Sequence, residues 1–184
     1  MQYLNKVINL NEYKLEHKQE LFEITIYTIV SFFLPFFIGH PQIVVGVLVN
    51  SLLISSALNI KGYKLLPIII APALGALSRG MLFGPFTIFL LYMIPFIWIG
   101  NAILIYSFKW LNLDKRLNYW ITLVIGSILK SAFLFAIAFI LISLKILPTV
   151  FLTTMGIFQL YTAILGGILA FGFQKSKKKI SSLV

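Results

Sequence analysis

The chain has 184 residues, 60% hydrophobic and 11% charged, with a mean hydropathy of +0.99 and a formal net charge of +10. Soluble domains carry about 25% charged residues, so a water-soluble globule of this size could not hide so much apolar surface, and the composition points to one membrane-embedded domain. With no cysteine, two distant histidines and five acidic residues, disulfides, iron–sulfur clusters and thiolate zinc sites are excluded, and a metal-dependent or carboxylate-based enzyme lacks its parts.

Residues 1–20 carry Glu12, Glu16 and Glu20 and offer no short apolar core ahead of a small-residue cleavage site, so they do not read as a secretory signal. Leu4, Val7, Ile8, Asn11 and Leu15 fall near helical spacing, which fits either a short helix on the membrane surface or a polar leader. From 21 to 173 the chain alternates apolar segments with turn chemistry. A crossing helix needs about 20 mostly apolar residues, and six segments qualify: about Leu21–Ile38, Ile43–Ile60, Leu65–Phe83, Phe86–Phe108, Leu117–Leu144 and Val150–Phe173. GHPQ at 39–42, KGYK at 61–64, FGPF at 83–86, KWLNLDKR at 109–116 and SLKILP at 143–148 separate them. Pro41 and Pro148 suit helix starts, whereas Pro35, Pro67, Pro72 and Pro95 lie inside apolar segments and predict kinks or freed carbonyls. Residues 174–184 form a basic tail. The expected fold is an all-α integral membrane protein, a bundle of six transmembrane helices.

Orientation follows from the basic residues. With the N-terminus cytoplasmic, twelve of the fifteen Lys and Arg face the cytoplasm, Arg79 and Lys145 face outward, and Lys130 is in the membrane. Six spans place both termini inside a multi-pass protein of the cell membrane. The KSKKK run then flanks a last span, as such runs commonly do, and does not imply a nucleic-acid partner.

Lys130 stands in the middle of IGSILKSAFLFAIAF, the fifth segment. A charge at mid-depth costs about 2.5–3.5 kcal/mol on insertion scales. Gly126, Ser127, Ser131 and Thr122 surround it, and small or hydroxylic residues favour a protein-facing surface. No carboxylate is placed deep enough to pair with it. Either Lys130 bridges carbonyls released by a proline kink, or it is neutral, or it waits for an anion from outside. Arg79 is an interfacial anchor or a fork for a carboxylate or phosphate. His40 and Gln42 sit at the same outer level. Asn50 is midway along the second segment, and Gln159 and Tyr161 lie in the outer part of the sixth. Tyr92 and Trp98 could wall a pocket, and Asn101 reads as structural, nearer the inner face. The binding residues expected are therefore Lys130, Arg79, Gln159, Asn50, His40, Gln42, Tyr161 and Trp98, around an outward pocket for a small anionic or zwitterionic solute. No cofactor is implied.

The stretches FQLYTAILGGILAFGF and APALGALSRGMLFGPFTIFLLYMIPFIWIGN, with six spans over 21–173, resemble the S components of energy-coupling factor (ECF) transporters. The resemblance implies a vitamin- or micronutrient-binding subunit that docks onto a coupling membrane protein and two ATPases, with no enzymatic step of its own. Many S components dock through an alanine-rich small-residue stripe on the first helix. Here that helix reads ITIYTIVSFFLPFF, so Ser51/Ser55 and Gly166/Ala170 are the candidate substitutes. The rival readings are a stand-alone permease or channel, a membrane enzyme using Lys130 as nucleophile, and a structural or assembly subunit.

Overall fold

The computed structural model describes residues 2–12, 16–38, 41–80 and 87–181, and side chains as far as 176. The described residues form helices only: α1 (Gln2–Ile8), α2 (His17–Ile38), α3 (Gln42–Asn59), α4 (Leu66–Arg79), α5 (Thr87–Ser107), α6 (Tyr119–Ser143), α7 (Val150–Met155) and α8 (Ile157–Ser181). A 3-10 turn, Gly62–Leu65, leads into α4, and a π-helical stretch, Phe108–Asp114, prolongs α5.

The pattern of burial is that of a protein whose solvent is lipid. On α6 the outward face carries Ile121, Val124, Ile125, Ile128, Leu129, Phe135, Phe139 and Ile140, all exposed. Its inward face carries Thr122, Gly126, Ser127, Lys130 and Ser131, all buried. In water this helix would be inside out. In hydrocarbon it is the arrangement that leaves no polar side chain facing the lipid tails. Among the described residues five helices are long and apolar enough to cross a membrane: His17–Ile38, Gln42–Asn59, Thr87–Asp114, Tyr119–Ser143 and Val150–Ser176.

The third apolar segment differs from its expected length. α4 has 14 residues, about 21 Å at 1.5 Å per residue, and ends at Gly80, whose φ of 70° is left-handed. The 3-10 turn ahead of it adds about 8 Å. Pro67 sits in its first turn, where a missing N–H is harmless, so it starts the helix instead of kinking it. The turn FGPF lies outside the described residues.

Two further differences move residues that matter. KWLNLDKR, expected as a loop, stays wound: Lys115 N–H bonds the Trp110 carbonyl five residues back, at 2.9 Å. Lys109 holds this turn in place, its Nζ donating to the carbonyls of Leu10 and Ile60 although the residue is wholly buried. Arg116, at φ 58°, ends the winding, and Asn118 caps α6 by accepting from Trp120 N–H. The sixth segment is broken at Gly156, with φ and ψ both −97°, into α7 and α8. A side chain there would meet the Leu152 carbonyl at 2.7 Å and Phe135 at 2.8 Å.

α3 packs chiefly on α8, α2 on α4, and α5 on α6. Glycine sets the closeness of the first two pairs. A Cβ on Gly75 would lie 2.0 Å from the Phe32 carbonyl oxygen, and one on Gly166 would lie 2.7 Å from the Val47 carbonyl and 2.9 Å from Ser51 N. The two small-residue stripes considered as docking faces are therefore each other's partners. Ser51, Ser55, Gly166 and Ala170 are all buried in the bundle, and neither stripe faces lipid.

Candidate functional site

Lys130, Asn50 and Asn101 come from three helices and meet at one depth. Asn50 is near the middle of the 18 residues of α3, Lys130 near the middle of the 25 of α6, and Asn101 near the middle of the 28 residues spanned by α5 and its π-helical extension. Lys130 Nζ donates to Asn50 Oδ1 at 2.6 Å and to Asn101 Oδ1 at 2.9 Å, and the residue is 2% exposed. The amide groups are themselves aimed by further bonds. Asn50 Nδ2 donates to Thr162 Oγ1 on α8 at 3.2 Å, and Thr162 Oγ1 donates to the Gln159 carbonyl. Asn101 Nδ2 donates to the Ile69 carbonyl at 3.1 Å, in the turn that Pro72 interrupts. Two of the valences of Nζ are therefore met by amide oxygens, and no carboxylate is paired with it.

Above this cluster a cavity opens toward the end of the bundle where α2 and α4 finish and α3 and α5 begin. Its volume is about 100 Å³. Lys130, Asn50 and Asn101 form its floor. Val45, Val49, Ala73, Ala76, Leu90 and Ile97 line its sides, and Gln42, Thr154 and Gln159 stand toward the mouth. Among the described residues its lining has no carboxylate and one aromatic ring, Phe158. The bend at Gly156 turns Phe158 and Gln159 into it. Beneath the floor lies an apolar layer that includes Leu53, Leu104 and Leu123, all buried.

Four of the eight residues singled out in the sequence therefore share one cavity: Lys130, Asn50, Gln42 and Gln159. His40 lies outside the described residues. Arg79 is turned away, its guanidinium donating to the carbonyls of Phe36 and Phe37 at the end of α2, where cations are favoured by the helix dipole and unpaired carbonyls. Trp98 packs beside the core cluster of α3, away from the cavity lining. Tyr161 is 56% exposed, on the outer face of α8, and Tyr92 is exposed as well, so the walls are aliphatic instead of aromatic.

Asn101, Thr154 and Thr162 belong to the cavity and were not among the expected binding residues. The depth of Asn101 depended on where its helix ends. With 109–116 taken as a loop it falls near the inner face, and with the π-helical extension it falls at the midpoint. The lining hydroxyls of Thr154 and Thr162 have no signal in the sequence apart from polarity in an apolar segment. Comparison with protein-family models, with curated proteins and with solved structures finds no match for this chain.

Proposed function

We propose that the chain is the membrane-embedded solute-binding subunit of an ECF-type micronutrient importer. On this reading it is a six-crossing bundle of the cell membrane with both termini cytoplasmic. It binds a small anionic or zwitterionic solute in a pocket open to the outside, and works with a coupling membrane protein and two ATPase subunits. It performs no catalytic step itself. The observation that carries the reading is the floor of the cavity, where a buried lysine, hydrogen-bonded only to amide oxygens, faces a space with no carboxylate in its lining. A charge set in this way is completed by an anion from solution. The apolar layer under the floor favours a closed pocket over an open pore. The importer part of the reading rests on the likeness in span pattern. The small-residue stripes lend it nothing, since both are consumed between α3 and α8.

A structural role is favoured by one observation: Lys130 ties α3, α5 and α6 through two amides, which a helix-joining cluster would also do. Affinity purification from native membrane in mild detergent, with mass spectrometry of proteins and small molecules retained, separates the two. Two ATPases, a coupling membrane protein and a held solute support the importer subunit. A chain that emerges alone and empty overturns it and leaves the structural role.

A further inference from the structure

The cavity that supports solute binding also constrains what the solute is, and this inference rests on that reading. Its floor offers one cationic group. Lys130 lines the cavity and makes two hydrogen bonds, to Asn50 and Asn101, which leaves one valence of Nζ for a ligand. No arginine lines the space, so there is no fork for a phosphate or a second carboxylate. All five carboxylates of the chain lie at the other end of the bundle. Glu12 bonds through its N–H to Leu58, Glu16, Glu20 and Glu23 are at the start of α2, and Asp114 accepts from Tyr3. A positive group on the solute would therefore be buried without an anionic partner, and a second negative charge would be equally unpaired.

The remainder of the cavity repeats the argument for the solute's body. Among the described residues its sides are mostly short or branched aliphatic side chains and two proline rings, Pro35 and Pro72, with Phe158 the one aromatic, a lining that suits an aliphatic body. Toward the mouth, Gln42 and Gln159 are half-buried and make no side-chain hydrogen bond within the described residues. Each amide can donate and accept, but neither adds charge. Gln42 lies eight residues from Asn50 on α3, about 12 Å along the axis.

The geometry points to a monoanionic aliphatic carboxylic acid, bound carboxylate-first on Lys130, with an uncharged hydrogen-bonding group at its far end against Gln42 and Gln159. Zwitterions and dianions are rejected because the cavity neutralises one charge only.

Titration calorimetry of the full-length chain in lipid nanodiscs tests this with five probes: hexanoate, 6-hydroxyhexanoate, adipate, 6-aminohexanoate and inorganic phosphate. The expected result is that 6-hydroxyhexanoate binds tightest, with adipate and 6-aminohexanoate at least tenfold weaker and phosphate without effect. Lys130→Met should abolish the binding. Should that variant fail to fold, the double variant Gln42→Leu, Gln159→Leu should bring hexanoate and 6-hydroxyhexanoate within twofold of each other. Adipate, 6-aminohexanoate or phosphate binding as tightly as 6-hydroxyhexanoate overturns the single-anion assignment while solute binding stands. An undiminished preference for the hydroxy acid in the double variant overturns the placement of its far end. If none of the five binds and no solute co-purifies, both the inference and the solute-binding reading fall.

Discussion

An ammonium held by Asn50 Oδ1 and Asn101 Oδ1 has its hydrogen bonding met twice and its charge not at all. Supplying a carboxylate at this point should therefore compete with any anionic ligand. Asn50→Asp does so at nearly constant size, and Thr162 can turn its hydroxyl to donate where it now accepts. The variant should fold at least as stably, and its affinity for the anion should fall tenfold or more in a binding titration, equivalent to about 1.4 kcal/mol. Unchanged affinity would place the anion away from Lys130. Arg79 is the contrasting residue. Its Nη1 is turned onto the Phe36 and Phe37 carbonyls and the residue does not line the cavity, so Arg79→Ala should lower stability by about 1 kcal/mol and leave the dissociation constant alone. A loss of affinity without loss of stability would return it to the site. Lys130 and Asn50 were legible in the sequence because each breaks an apolar run in mid-helix. Arg79 and Tyr161 were not correctly placed by depth alone, because depth says nothing about which way a helix is turned.

The helices themselves follow from composition, but their mutual closeness follows from a few glycines. Where α2 crosses α4, Gly75 leaves the Phe32 carbonyl no room for a methyl group. Gly75→Ala should lower thermal stability, by about 1–3 kcal/mol if the strain is that of an overpacked core. Gly172→Ala is the control: nothing lies within 4 Å of the added carbon, and alanine improves helix propensity by about 1 kcal/mol. Thermal unfolding of both in one detergent checks the pair, and equal melting temperatures would mean that α2 and α4 are not held as described. Apolar segment positions and the polar-inward face of α6 could be read from the sequence, since both reflect the solvent. The winding through 108–114 and the bend at Gly156 could not. The first depends on Lys109 finding carbonyls 49 and 99 residues away, and the second on α7 and Phe135 closing around a glycine.

At the scale of the whole molecule the proposed orientation, taken from the distribution of charge, is open to a direct test. The native chain has no cysteine, so single replacements report their own side of the membrane. Leu144→Cys, exposed in the turn after α6, should react with an impermeant maleimide on intact cells. Lys115→Cys, beside Asp114 at the opposite end, should react only after permeabilisation. The reverse pattern would invert the bundle and turn the cavity toward the cytoplasm. How many times the chain crosses rests on α4, whose apolar stretch was visible but whose early stop at Gly80 was not, because glycine within an apolar segment is equally compatible with close packing.

The mid-depth position of the floor has an electrical side. An empty bundle with a protonated Lys130 holds one uncompensated positive charge about halfway through the membrane. A bundle loaded with a monoanion holds none. The membrane voltage then acts on the empty form alone, with about half of the 2.3 kcal/mol that a full crossing is worth per 100 mV. Loading would carry the voltage dependence, and any later movement of the filled protein would be electrically silent.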